Sequence, residues 1–561
     1  MNPSYIEVPE GAVCLTKVYL QGRKHFVKEC GFPVASFQAV QMRFSPGFDI
    51  SNPNFANWHL LVFALLKRDC EEMWRIRTKY GCFVAPGALL IVLVSFKGYV
   101  PMMLPMGIVF DRRYILASRD ADGHVFHNLT AKLNLMPEDI HWQKYASRFR
   151  TFPAMLETGL SKPGMIVCIP VYAEPELAIT LDSLYGCELP DAMIEVILLF
   201  NKSDRMTKDE VTQHDLTWKN TIGWIQDHAR DGLKFLPVYL ESCPDPKGGV
   251  GWARKLVMDE AARRLDQEGV MVCLDGDCTV SGNYFQVVYD YFKGQPSCDA
   301  ASIHFEHKLD LPDIREMDAI AQYELHLRYL VAALRWAGHP FAFHTIGSSM
   351  AVRRKAYLLQ GGMNTRQAGE DFYFLQKFIE IESLHEIKET TVFPSSRISG
   401  RVPFGTGRAM QTLLNTPGEW LTTDIDVFRL VKPLLASVDS IRQFFRQDQG
   451  GGMPVSLYDT LGLHDWVVRF LDHIGFVEQC RDISAQTTNA AAFRRRFFRY
   501  FNSFMMIRYM HFISQHFIPV SGITRSANAM LSELNSIPEM AKDAFKLLEL
   551  FRQMDKLNPA R

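Results

Sequence analysis

MIVCIPVY, residues 165–172, followed by EPELAITLDSLYG, residues 174–186, is the stretch that decides the fold. A short continuous apolar run that gives way to turn residues, and then to apolar positions at helical spacing, reads as a buried strand feeding a helix. The pattern recurs. EVILLF (195–200) leads into NKSD, and VMVCLDGD (270–277) follows the helix-like WARKLVMDEAARRLDQEG (252–269). Strands apolar on both faces need cover on both faces, so the alternation predicts an α/β, Rossmann-like domain with a mainly parallel sheet. Ligands of such sheets gather at the carboxyl ends of the strands.

Outward from this core the texture changes. Residues 1–162 form an accessory region in which NWHLLVFALLKRDCEEMWRIRTKYG (57–81) has apolar spacing of helical type. FVAPGALLIVLVSF (83–96) is too short for a spanning helix and reads as a buried strand or a core helix. Residues 163–410 are the α/β catalytic region. From 411 to 561 helical spacing dominates, as in TDIDVFRLVKPLLASVDSIRQFFRQ (423–447), interrupted by the linker QDQGGGMP (447–454).

With 561 residues the chain exceeds what one hydrophobic core usually supports. Its 47% apolar and 22% charged residues are ordinary for a globular protein, and a net charge of -1 gives no general electrostatic case for nucleic acid, so no nucleic-acid partner is expected. The 11 cysteines include no Cys-x-x-Cys pair to complete a zinc site with His304 and His307, and read as buried thiols in a reducing compartment. The opening MNPSYIEVPEGAV lacks the pattern of a secretory leader, so the expected location is cytoplasmic.

Four motifs carry candidate chemistry. Asp275 and Asp277, where a buried strand emerges, offer hard oxygen ligands for Mg²⁺ or Mn²⁺ at a place suited to a diphosphate; the alternative is a turn whose carboxylates cap backbone N–H groups. Glu370 and Asp371 precede the helical FYFLQKF, either as an ordinary helix cap or with Asp371 as a general base for a hydroxyl. PKGGVGWARKL (246–256) allows close backbone approach at Gly248, Gly249 and Gly251 and offers Arg254 and Lys255 to a diphosphate, without the Walker pattern. SSRISGRVPFGTGRAM (395–410) places Arg397, Arg401 and Arg408 on a glycine-rich loop, either closing over a leaving diphosphate or simply solvated. In AAFRRRFFRYFNSFMMIRYMHFI (491–513), Arg494, Arg495, Arg496, Arg499 and Arg508 alternate with aromatic residues. This reads as a core helix with a charged outer face, the alternative being a peripheral contact with the inner face of an anionic membrane.

The order and spacing of IPVYAEPELAITLDSL, GVGWARKL, LDGD, HTIGSSMAVRRKAYLLQGGMN and AGED resemble the family 2 glycosyltransferases of the GT-A fold, over roughly residues 164–410. The resemblance implies transfer of a hexose-type sugar, with inversion, from a nucleoside-diphosphate sugar to a saccharide or lipid-linked hydroxyl acceptor in glycan or glycoconjugate synthesis. It implies that Pro170, Tyr172 and Glu174 lie around the base and ribose and Arg254 near the diphosphate. Asp275 and Asp277 would hold the sugar nucleotide and a Mn²⁺ or Mg²⁺ ion. Gly347 and Ser348 would line the sugar pocket, Asp371 would be the base, and Glu370 would support it. Two features depart from the family pattern. The acidic turn after the second strand is replaced by Phe200-Asn201-Lys202-Ser203-Asp204, leaving Asn201 or Asp204 to meet the base, and no His lies between His385 and His464 to serve as a later metal ligand. A nucleotidyltransferase and a catalytically silent saccharide-binding scaffold are the rival readings.

Overall fold

The computed structural model describes residues 139–157, 162–241, 249–398, 405–416, 418–447, 457–534 and 543–557, and four strands before them. The chain divides into two compact units, Met1–Ile140 and His141–Arg561.

In the first unit, β1 (Trp58–Leu65) pairs antiparallel with β4 (Leu89–Phe96), placing Leu61 opposite Leu93, and β2 (Trp74–Ile76) pairs with β3 (Cys82–Val84). The helical spacing expected over residues 57–81 is therefore corrected. WHLLVFAL is an almost unbroken apolar run, in which periodicity discriminates poorly, and its backbone finds a second unbroken run to pair with. The strand alternative for residues 83–96 holds over Leu89–Phe96.

The second unit is built on an eight-stranded sheet of β5 (Met165–Val171), β6 (Ile194–Asn201), β7 (Leu233–Leu240), β8 (Val270–Cys273), β9 (Thr279–Val280), β10 (Ala300–Phe305), β11 (Met350–Arg353) and β12 (Leu384–Phe393), in the order β7-β6-β5-β8-β11-β10-β12-β9. The pairs β5–β6, β6–β7, β5–β8 and β10–β12 are parallel, while β11 runs antiparallel between β8 and β10 and β9 antiparallel beside β12. The fold is thus α/β with a mainly parallel, Rossmann-like sheet, as the alternation predicts.

Side chains of β5 alternate between two cores: Met165, Val167, Ile169 and Val171 enter one, Ile166 and Cys168 the other. Burial on both faces is why the strand reads as an unbroken apolar run. The second core also takes Trp252, Tyr145 and, from the C-terminal helices, Phe497 and Phe551, so the helical region and the segment from His141 pack on one face of the sheet.

Residues 491–513 are two helices, Ala490–Tyr500 and Ser503–His516, rather than one. Phe501 caps the end of the first, and Asn502 caps the start of the second, its side chain accepting the N–H groups of Phe504 and Met505. Phe493, Phe497, Tyr509 and Ile513 are buried, whereas Arg494, Arg495, Arg496, Arg499 and Arg508 are exposed, the geometry of core helices with a charged outer face. Among the described residues no helix is long and apolar enough to cross a membrane. Cys168, Cys187, Cys273, Cys278, Cys298 and Cys480 are free and buried. His304 and His307 engage Glu306 and Glu324 at 2.9 and 3.0 Å.

Candidate active site

The site begins where β8 ends. Leu274 still donates its N–H to Cys168 of β5 at 3.2 Å, after which the chain turns, Cys278 N–H reaching the Asp275 carbonyl at 3.2 Å. Asp275 and Asp277 therefore stand at the carboxyl ends of the parallel pair β5–β8, half exposed. Asp275 does not merely cap its own turn: its Oδ1 accepts from Arg254 Nη2 at 2.6 Å. Arg254 lies in the helix Val250–Arg264, is 2% exposed, and gives its other terminal nitrogen to the buried carboxylate of Glu370.

Glu370 and Asp371 are the first two residues of the helix Glu370–Ile379. The cap position belongs instead to Gly369, whose φ of 70° lies in the left-handed region, so the acidic pair is not an ordinary helix cap. Gly347 closes the group. A Cβ on it would lie 2.8 Å from Arg254 Nη1 and 3.0 Å from Asp371 Oδ2, and its N–H donates to the Asp371 carboxylate. The structure thus brings Arg254, Asp275, Gly347, Glu370 and Asp371, drawn from four separated stretches of sequence, into one cluster.

Two expectations about the glycine-rich turn are corrected. A Cβ on Gly251 would meet the Arg366 carbonyl at 2.3 Å and Glu370 Cβ at 2.9 Å, and one on Gly249 would meet Gln367 Cα at 2.9 Å. These glycines admit the segment that carries the acidic pair; they bring Arg254 and Glu370 together rather than bare backbone to a ligand. Gly248 lies outside the described residues. Lys255, one residue on from Arg254, points away from the site and pairs with Asp259 at 2.9 Å and with the Tyr145 hydroxyl.

Three carboxylates around one buried guanidinium leave an excess of negative charge. Burial pushes the Glu370 carboxyl up, Arg254 pulls it down, and Asp371 pushes it up again, to about 7. Burial likewise raises Asp371, against the pull of Arg254 and of the N–H groups of Phe372 and Gly347. Both carboxyls of the pair are thus raised and titrate as a coupled unit, the direction useful to a general base.

On the β5 side, Pro170 lies within the strand, and Tyr172 and Glu174 lie on the turn that follows. Ala173 has a φ of 48°, and its N–H donates to His214 Nδ1 at 3.2 Å while Thr217 Oγ1 donates to the Glu174 carbonyl at 3.0 Å. Both partners sit on Lys208–Asp227, a helix fixed by a capping box between Thr207 and Glu210. His214 and Thr217 were not singled out from the sequence, where a histidine and a threonine one turn apart carry no signal. Arg397 pairs with the Glu174 carboxylate and with Asp277 Oδ2 at 3.3 Å, joining the turn after β5 to the Asp-x-Asp turn.

Asn201 ends β6 opposite Leu240, its Oδ1 buried without a hydrogen-bond partner among the described residues, and Asp204 is exposed beyond it. Ser348 is buried and hydrogen-bonds the Cys278 thiol beside the Asp-x-Asp turn. Arg408 is exposed and donates to Gln411 on its own helix at 2.6 Å, and among the described residues it makes no hydrogen bond or ion pair with the acid cluster. Arg401 lies outside the described residues.

A divalent cation was tested against the donor set. Among the described residues no three His, Cys, Asp or Glu are gathered to hold a metal. Two half-exposed carboxylates, Asp275 and Asp277, suit Mg²⁺ or Mn²⁺ bound mainly by diphosphate oxygens and water, and do not suit a closed all-protein site.

No family model matches the chain, and no curated protein does. Among solved structures, S. aureus TarS 1–349 in complex with UDP-GlcNAc matches at 14% identity over 60% of this chain and 89% of that one, with a TM-score of 0.30. The mannosyltransferase PcManGT from Pyrobaculum calidifontis, in complex with GDP-Man and Mn²⁺, matches at 13% identity over 67% and 91%, with a TM-score of 0.28. Likenesses this remote carry no argument, and the chemistry of the chain rests on its own residues.

Proposed function

We propose that the protein is a glycosyltransferase that moves a hexose-type sugar from a nucleoside diphosphate to a hydroxyl acceptor, with inversion. The supporting observation is the Arg254 cluster. It holds the half-exposed Asp275, two residues before Asp277, against a separate acidic pair whose carboxyls are both raised, at the carboxyl end of a mainly parallel sheet. In this reading Asp277 and Asp275 hold a Mg²⁺ or Mn²⁺ ion, which when bound neutralises charge on the diphosphate. Asp371 accepts the proton of the attacking hydroxyl, and Glu370, held by Arg254, keeps that helix start in place. Pro170, Tyr172, Glu174 and Asn201 face the nucleoside, Gly347 and Ser348 the sugar, and Arg397, Arg401 and Arg408 belong to the loop over the diphosphate.

In this reading residues 163–410 carry the chemistry, 411–561 are a helical addition, and residues 1–162 an accessory region whose last stretch, from His141, belongs to the core of the catalytic unit. The exposed arginines of Ala490–Tyr500 are available to anionic lipid head groups, which would bring a lipid-linked acceptor to the site. The test is product analysis with a panel of sugar nucleotides, Mn²⁺ and hydroxyl acceptors. Release of nucleoside diphosphate supports the reading. Release of pyrophosphate indicates a nucleotidyltransferase, and no turnover with any donor indicates a binding scaffold.

A further inference from the structure

Behind the segment that carries Glu370 lies a cavity of about 360 Å³ that none of the chemistry above uses. Its size falls in the range of small-molecule sites, about 300–1,000 Å³. The residues that line it include three cations, Arg150, Lys255 and Lys377, and no acid. Lys255 is neutralised by Asp259. No carboxylate pairs with Arg150 or Lys377 among the described residues. Lys377 Nζ holds the Gln360 and Gly362 carbonyls at 3.0 and 2.8 Å, which leaves one of its three N–H groups. Burial, and then Lys255, lowers its ammonium to about 8.

The remaining walls are aromatic. Phe149 stands 43% exposed, with its ring over Gly361, where a Cβ would come within 2.6 Å of it. Trp252 packs edge-on against Phe152 with ring centroids 5.6 Å apart, and its buried indole N–H has no hydrogen-bond partner among the described residues. Uncompensated cations beside the exposed aromatic face of Phe149 suit a ligand with an anionic end and a hydroxylated ring.

We propose that this cavity is a second ligand site, which takes a phosphate-bearing saccharide, its phosphate at Arg150 and Lys377 and its ring against Phe149. The floor of the site is the turn Gly361–Thr365, from which Asn364 Nδ2 donates to the Glu370 carbonyl at 2.8 Å. A bound ligand thereby contacts the segment that leads into the acidic pair.

Calorimetry on the full chain carrying Asp277→Ala, which disables the donor site in the reading above and requires no turnover, tests this separately from the transferase assignment. Glucose 1-phosphate should bind, more weakly by about tenfold when the exposed Arg150 is changed to Gln. Glucose and inorganic phosphate should each bind more weakly than the sugar phosphate. Equal affinity with and without Arg150→Gln, inorganic phosphate binding as tightly as the sugar phosphate, or no binding of glucose 1-phosphate at millimolar concentration would each overturn the proposal.

Discussion

Two buried arginines in the same unit, Arg254 and Arg328, meet opposite electrostatic conditions. Arg254 faces Asp275, Glu370 and Asp371 as the cation between them, and the acidic pair is raised. Arg328, fully buried in the helix Ile314–Ala337, pairs with Glu324 and Asp555, but Arg552, Arg335, His307 and His344 also reach these carboxylates. There burial pushes Glu324 and Asp555 up, yet the surrounding cations outweigh it and hold both well below the usual carboxylate range. Neighbouring Glu306, bonded to His304 and Lys556, is held at about 2.

The difference separates a fastener from a site. The Arg328 cluster joins the helix Ala544–Leu557 to the sheet unit with its acids fully ionised, at a desolvation cost repaid only while every partner stays. The Arg254 cluster is left short of positive charge at the end of a sheet where ligands bind. An over-acidic group of this kind is stable enough to persist and is relieved by an arriving cation or by a proton.

The sharpest way to break the comparison is to remove one acid from each cluster. Asp371→Asn should cut turnover by about 10²–10⁴ with little change in unfolding free energy, as loss of a general base does. Glu324→Ala should do the reverse. It should cost about 3–5 kcal/mol in denaturant unfolding, because Arg328 and Arg552 lose a buried partner, and leave nucleotide binding intact in the folded fraction.

The two clusters should also respond to pH with opposite sign. The folded-state carboxyl of Glu370 is raised to about 7, so its contribution to stability is fully present below the ordinary carboxylate range and is lost as pH rises through about 7. Glu306 is lowered to about 2, so its contribution is present above the ordinary range and lost as pH falls through acid. Chemical denaturation from pH 2 to 8 should therefore show Glu370→Gln removing the loss of stability between the ordinary carboxylate range and pH of about 7, on the order of 1–3 kcal/mol, without altering the limb below that range. Activity runs the other way, because the base must be deprotonated: turnover should rise with pH, with its midpoint above the ordinary range of an aspartate.

Smaller effects follow. Gly347→Ala places a Cβ within 2.8 Å of Arg254 Nη1 and should slow turnover about tenfold by displacing the guanidinium from its acids, a change that kinetics at saturating donor would read. Arg494→Gln, on the exposed face of its helix, should change thermal stability by less than about 0.5 kcal/mol.

The sheet was legible because β5, β6 and β8 are buried on both faces, and only an unbroken apolar run satisfies that condition. The acid cluster was legible as types of residue at strand ends and helix starts. Its wiring was not. That Gly251 exists to seat Glu370 against Arg254, or that Lys255 turns away beside it, depends on packing between segments more than 100 residues apart. His214 and Thr217 were invisible for a related reason, since they act on the backbone of the turn after β5 rather than on a ligand. The break at Asn502 was missed because apolar residues crowd both sides of it, Phe497, Phe498 and Phe501 before and Phe504, Met505 and Met506 after, so that their spacing marks no boundary. At β1 the opposite failure occurred, where an apolar run without a clear period was assigned one.

The most direct test of the site is calorimetric titration of the protein with nucleoside diphosphates, with and without Mn²⁺, in the wild type and in Asp277→Ala. The expected result is saturable binding of one nucleoside diphosphate that requires Mn²⁺ and disappears in Asp277→Ala while the variant remains folded. Equal binding by both proteins, or no binding of any nucleoside diphosphate by the wild type, would contradict the assignment of this acid cluster to a sugar nucleotide.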